Sequence, residues 1–118
     1  MNKEDLKRRT KDFGLRVMKL VRELPRDVPG KVIANQLMRS ASSVGANYRS
    51  ACRARSTAEF IAKLGVVLEE ADESGHWLEL IIEDRMLPAP RVEPLRMESD
   101  ELCAIIYAAI HSTRAKGI

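Results

Sequence analysis

Aromatic side chains are scarce in this chain: one Trp, two Tyr and two Phe make up 4% of its 118 residues. Glycine and proline are few as well, so the composition disfavours sheets strung on tight turns and favours helices. No apolar run approaches the roughly 20 residues that a membrane span requires. The opening residues, MNKEDLKRRTKDF, are polar and lack the apolar region of a signal peptide, which makes the cytoplasm the expected location. Cysteine is limited to Cys52 and Cys103. They stand far apart, on or beside predicted apolar faces, and form no C-x-x-C pair. They read as small reduced core residues rather than zinc ligands.

What the chain does have is helical periodicity. Hydrophobic residues at 45% argue against disorder, and the length suits a single domain, 1–118, whose core needs no staples. Four helices are expected, over about 3–24, 31–53, 57–85 and 91–113. In the first, Leu6, Phe13, Val17, Leu20 and Leu24 share one face, with Thr10 filling a seam position; Pro25 stops it and Pro29-Gly30 makes the turn. In the second, Ile33, Leu37, Ala41, Val44, Tyr48 and Ala51 recur at three- and four-residue steps. Gly45, near its middle, costs roughly 1 kcal/mol relative to alanine, and its use in a bundle is close helix approach. Ser56 and Glu59 then form a capping box that starts the third helix.

The third helix buries Phe60, Leu64, Val67, Leu68, Ala71, Gly75, Leu78 and Ile82. Nearly opposite runs a second stripe of Val66, Glu70, Glu73, Trp77, Leu80 and Asp84. An outward stripe containing the only tryptophan marks an interface, so Val66, Trp77 and Leu80 are expected to mediate self-association. Leu15 and Met18, which project from the first helix, are a second candidate contact. The fourth helix buries Leu95, Leu102, Ile105, Ile106, Ala109 and Ile110, with Pro94 expected in its first turn and residues 114–118 expected to fray. Helices of this length on short connections predict an all-α, antiparallel up-down-up-down four-helix bundle.

Charge is distributed unevenly. Residues 1–24 hold eight Lys/Arg against four Asp/Glu and residues 25–56 hold six against one, while residues 57–87 hold two against eight. A basic first half and an acidic third helix suit either a polyanion partner or charges that cancel where elements or subunits meet.

Enzymatic chemistry finds little support. Glu73-x-x-His76 has di-metal spacing, but the second such pair is missing because Ala108 stands three residues before His111, and Glu73 faces away from the core. Ser42 and Ser43 have no histidine within helical reach, and neither cysteine has a local base. Gly45, Gly65 and Gly75 are isolated helix glycines, not a phosphate loop. No cofactor or metal is implied. Nucleic-acid binding is the sharper reading. Lys7, Arg8, Arg9, Lys11, Arg16 and Lys19 on the first helix join Arg39, Arg49, Arg53 and Arg55 on or just after the second. The Arg39, Arg49 and Arg53 side chains form one stripe, and guanidinium groups grip phosphate bidentately. With no aromatic platform among them, phosphate contact and strong salt dependence would dominate over base reading. The competing reading pairs the same arginines with Glu59, Glu70, Glu73 and Asp84, within or between subunits.

The pattern Gln36-Leu37-x-Arg39-Ser40-Ala41-x-Ser43-Val44-x-Ala46-Asn47, then Arg55-Ser56-x-x-Glu59-Phe60, then Glu69, Glu70 and Asp72 on an acidic helix, resembles a four-helix-bundle family. Its members are encoded in intervening sequences of bacterial large-subunit ribosomal RNA genes, and they are related to accessory proteins of diversity-generating retroelements. The resemblance covers nearly the whole chain. It implies a homopentameric ring, a structural role for Asn47, Ser56 and Glu59 in tying the second helix to the third, and no catalytic motif. For the retroelement proteins it further implies a basic surface that engages nucleic acid and a reverse transcriptase. One departure is visible. Where family members often carry a small-acid-glycine sequence after the asparagine, this chain reads Tyr48-Arg49-Ser50-Ala51-Cys52-Arg53, which adds positive charge. The resulting expectation is a non-enzymatic, self-assembling accessory protein that binds structured RNA or DNA through a basic surface on the first two helices. The alternative is a protein-protein scaffold whose arginines form intersubunit salt bridges. No membrane partner is expected.

Overall fold

The computed structural model describes residues 1–116, which form four helices: α1 Lys3–Val21, α2 Val28–Ala51, α3 Thr57–Glu83 and α4 Ala89–Ala115. There is no strand among the described residues. Consecutive helices pack side by side, and α4 returns to α1 along a much sparser seam, so the four close a bundle 49 Å long and about 20 Å across. The pairings alternate in direction. Gly14 on α1 sits against Ala41 on α2, whereas Gly45, one α2 turn further on, sits against Thr10.

Local chemistry explains each boundary and corrects several expected ones. α1 stops at Val21 rather than residue 24. Glu23 and Leu24 donate their N–H groups to Leu20 and Val21, i→i+3 bonds that tighten the turn and swing Leu24 into the core. Pro29-Gly30 is not the turn. Asp27 caps α2 by accepting the Gly30 N–H at 2.8 Å, and Pro29 sits in the first helical turn, where no N–H is needed. α2 ends at Ala51, after which the Arg53 and Ala54 N–H groups turn to Ser50 and Ala51. α3 ends two residues early because Arg85 takes a left-handed φ of 58°. There the Met86 N–H bonds Ile81 and the Arg85 N–H bonds Ile82, a Schellman closure usually built on glycine. α4 starts at Ala89, which moves Pro94 out of the first turn and into the helix, on the exposed side. The helix also continues through Arg114 and Ala115, against the expected fray; residues 117–118 of that expectation lie outside the described residues.

The apolar faces that periodicity assigns to α1 and α2 are buried, from Leu6 to Leu24 and from Ile33 to Ala51. Ile81 and Val92 are fully buried core residues that the periodic reading omitted. A polar layer crosses the core as well. Ser40 and Ser74 lie 2.9 Å apart across the α2–α3 contact, and Ser99 packs on Gly75, where an added Cβ would come within 2.9 Å of its Oγ. Ser99 donates to the Arg96 carbonyl; of Ser40 and Ser74, one donates to the other and the other donates to a carbonyl of its own helix, so none is left unsatisfied. Small, hydrogen-bonded side chains here let the three helices approach closely without a buried polar cost.

Candidate polyanion-binding groove

The approach of α1 to α2 is set by glycine. A Cβ at Gly45 would lie 3.3 Å from the Thr10 carbonyl oxygen and 3.4 Å from the Lys11 nitrogen, both backbone atoms. The outer side of this contact is the floor of an open groove of about 650 Å³. Its floor is small: Gly14, Ala41, Ser42, Gly45 and Ala46. Its walls are mainly cationic, with Lys7, Arg8 and Lys11 from α1 and Arg49 and Arg53 from α2; Glu4, beside Lys7, is the one acid in the lining. Leu15 and Met18 line one end. Two separate predicted sets, the cations and the secondary apolar contact, thus meet in one feature.

The ten predicted cations divide by neighbour. Lys7 pairs with Glu4 at 2.8 Å and Arg8 stands 3.9 Å from Asp5, both one turn away on exposed helix surface, where such pairs contribute little. Lys11, Arg49 and Arg53 form no ion pair among the described residues, nor does Arg55 in the α2–α3 connection. Arg9 faces α4 instead. It donates to both oxygens of Glu98 at 2.7 and 2.8 Å and to Glu101 at 3.0 Å. These bonds hold the Glu98 carboxyl below its usual range. Arg16 and Lys19 border a smaller hollow on the same α1–α4 seam, with Arg91 and Pro94. Arg39 reaches α3, donating to Glu70 at 3.2 Å and to Glu73. Glu73 also accepts the Trp77 indole N–H at 3.0 Å. First that indole and then Arg39 keep its carboxyl ionised to lower pH than usual. The single arginine stripe predicted on α2 is therefore two things: Arg39 is neutralised, and Arg49 and Arg53 are open.

The outer face of α3 also differs from expectation. Val66 is 40% exposed, but Trp77 and Leu80 are half-buried and packed on the core. The truly outward stripe is Glu69, Asp72, His76, Glu79 and Glu83, all exposed. None of its four carboxylates makes an ion pair among the described residues. Its three- and four-residue spacing was visible in the sequence but was overshadowed by tryptophan.

At the α2–α3 corner the structural motif is only partly as the resemblance implied. Ser56 accepts the Glu59 N–H at 3.1 Å, and the Glu59 carboxylate accepts the Arg55 N–H at 3.0 Å rather than that of Ser56. Glu59 thereby fastens the connection to α3. Asn47 does not take part: its side chain donates to the Ser43 carbonyl within α2, at 2.9 Å.

Elsewhere, no group of three or more metal-ligating side chains occurs among the described residues. Glu73 is engaged by Arg39 and Trp77, and the His76 ring lies edge-on to Trp77. Burial, with Asp72 and Asp100 nearby, pushes the Cys103 thiol up to about 11, so it is protonated and a poor nucleophile near neutral pH. No helix among the described residues is long and apolar enough to cross a membrane.

The family model described as 23S rRNA-intervening sequence protein matches residues 2–108. A crystal structure described as a protein with unknown function from the S23 ribosomal protein family of Bacteroides thetaiotaomicron is similar throughout. The TM-score is 0.86 at 32% sequence identity, over 94% of this chain and 99% of that one. No curated protein matches the chain.

Proposed function

The chain belongs to the 23S rRNA-intervening sequence protein family, and from that premise we propose that it is a non-enzymatic accessory protein that binds structured RNA or DNA through the α1–α2 groove. One observation carries the reading: Lys11, Arg49 and Arg53 border a floor of small side chains and have no acidic partner among the described residues. Arginines that the fold needs, Arg9 and Arg39, are already engaged by carboxylates; those at the groove are left for a ligand. The groove has no aromatic lining, which suits a sugar-phosphate backbone better than splayed bases. Self-association, as the state of the protein free of nucleic acid, belongs to the same proposal, with the family resemblance supporting a homopentamer. Action beside a reverse transcriptase rests on that resemblance alone.

The test is a salt titration of binding to a structured RNA hairpin. For Lys11→Ala/Arg49→Ala/Arg53→Ala, log K is expected to fall at low salt. Its slope against log salt should flatten by about 2 to 3, as three phosphate contacts are lost. Arg39→Ala should leave the slope unchanged. A triple variant that keeps the wild-type slope and affinity sinks the proposal. If it keeps RNA affinity while its assembly falls apart, the scaffold reading takes over.

A further inference from the structure

Two unpartnered charged features of opposite sign remain on this molecule, and their shapes correspond. The groove is concave, cationic at one end and apolar at the other, where Leu15 and Met18 are 46% and 38% exposed. The outward side of α3 is a convex ridge. Glu69, Asp72, Glu79 and Glu83 follow steps of three, four or seven residues, which set them in one line along the helix. One turn before Glu69 the ridge becomes small and apolar, at Gly65 and Val66. A Cβ at Gly65 would meet nothing within 4 Å.

We propose that, when no nucleic acid is bound, the α3 ridge of a second copy of this chain lies in the α1–α2 groove, so that self-association and polyanion binding compete for one surface. The proposal rests on the reading of the groove as a polyanion site. The carboxylates of the ridge take the places that phosphates would occupy beside Lys11, Arg49 and Arg53, and Val66 meets Leu15 and Met18. Matching apolar end to apolar end sets the direction: the incoming α3 runs antiparallel to α1. The extents agree, since Arg8 to Met18 covers about 15 Å of helix and Val66 to Glu79 about 20 Å. The glycine and alanine floor admits a helix that larger residues would hold off, and the same floor serves a sugar-phosphate strand.

The contact must be between copies. Within one subunit α3 packs on α2 and α4 but not on α1, and its ridge points away from the core. Groove and ridge therefore lie on different sides of the bundle, and one neighbour cannot exchange both contacts at once. The association is head-to-tail, the arrangement that closes into rings or extends into filaments. Opposed charge of this kind governs encounter rate and register and weakens with salt.

Two variants test it, each checked for helical content. Arg49→Glu/Arg53→Glu spoils the groove and keeps the ridge; Asp72→Lys/Glu79→Lys spoils the ridge and keeps the groove. By sedimentation at low salt, wild-type protein should exceed the monomer mass in a concentration-dependent way. Each variant alone should be monomeric. An equimolar mixture should give a heterodimer and nothing larger, because only one intact groove and one intact ridge remain. The ridge variant should also bind the RNA hairpin several-fold more tightly than wild type at concentrations where wild type is associated. Wild-type protein that is monomeric throughout, variants that keep wild-type mass, a mixture that does not pair, or a ridge variant with wild-type RNA affinity each overturns the inference. Failure of the polyanion reading shows separately, as a groove variant that binds RNA as well as wild type whatever the masses are.

Discussion

Helix α1 has two neighbours and is joined to them by different physics. Toward α2 the seam is close-packed, with glycine backbones in contact and Phe13, Val17 and Leu20 fully buried beneath. Toward α4 the helices meet only sparsely, and arginine ties bridge the gap: Arg9 to Glu98 and Glu101, and Arg91 to Glu23. A seam that packing already closes has no need of its charged rim, so Lys11, Arg49 and Arg53 stay available. A seam that packing leaves open is fastened by Arg9 and Arg91. The same residue type is structural on one seam of α1 and free for a partner on the other.

The strongest way to break this contrast is to crowd the tight seam. Gly45→Val places a branched side chain against the backbone of Thr10 and Lys11, atoms that cannot rotate aside. Overpacking of this kind typically costs 1–3 kcal/mol, and we expect a loss of about 2 kcal/mol in urea unfolding. The loss should be insensitive to salt, because no charge is involved. Gly45→Ala should fall near neutrality, the helix preference of alanine, about 1 kcal/mol, offsetting a shift of a few tenths of an ångström.

Next in size is the fastened seam. Glu98 is nearly buried, its side chain 12% exposed, and takes both bonds from Arg9. Glu98→Gln should cost about 1.5–2 kcal/mol, the low end of the range for hydrogen bonds to charged groups, since Arg9 keeps Glu101. Its carboxyl ionises at lower pH in the fold than in the unfolded chain. The stabilisation is therefore complete above the ordinary carboxylate value near 4.5 and fades as pH falls through the lower, folded value. Unfolding curves taken from neutral to acid pH should show the wild-type advantage over Glu98→Gln shrinking in that window. A constant difference down to strongly acid pH would mean that Arg9 is not the source of the stability.

Much of this architecture is legible in the sequence, because burial follows periodicity. The inward faces of α1 and α2 are set by three- and four-residue spacing, and the structure places those residues in the core. What periodicity cannot supply is the neighbour on either side of a face. Arg39, Arg49 and Arg53 share a stripe, yet only Arg39 stands across from Glu70 and Glu73. Trp77 draws attention to one side of α3 by its size, yet it packs on the core and donates to Glu73, and the acidic ridge lies beside it. Pro29-Gly30 resembled a turn because the cap that makes it a helix start, Asp27, lies two residues upstream of the proline. Ser40, Ser74 and Ser99 were hidden for the opposite reason: a hydroxyl that bonds its own helix backbone can be buried like alanine.

The smallest expected effect on the fold sharpens the contrast most. If the groove arginines are free because packing has already closed their seam, removing them should leave stability almost untouched. At a dilution and salt where the protein is monomeric, Arg49→Ala/Arg53→Ala is expected within about 0.5 kcal/mol of wild type in urea unfolding, as for exposed positions without a partner in their own subunit. Alanine's helix preference works slightly in its favour. Measured beside Glu98→Gln, the pair separates arginine as fastener from arginine as recogniser within one helix bundle. A loss as large as that of Glu98→Gln would show that the α1–α2 seam leans on its charges after all, and the groove would then be part of the scaffold rather than a surface held open for a partner.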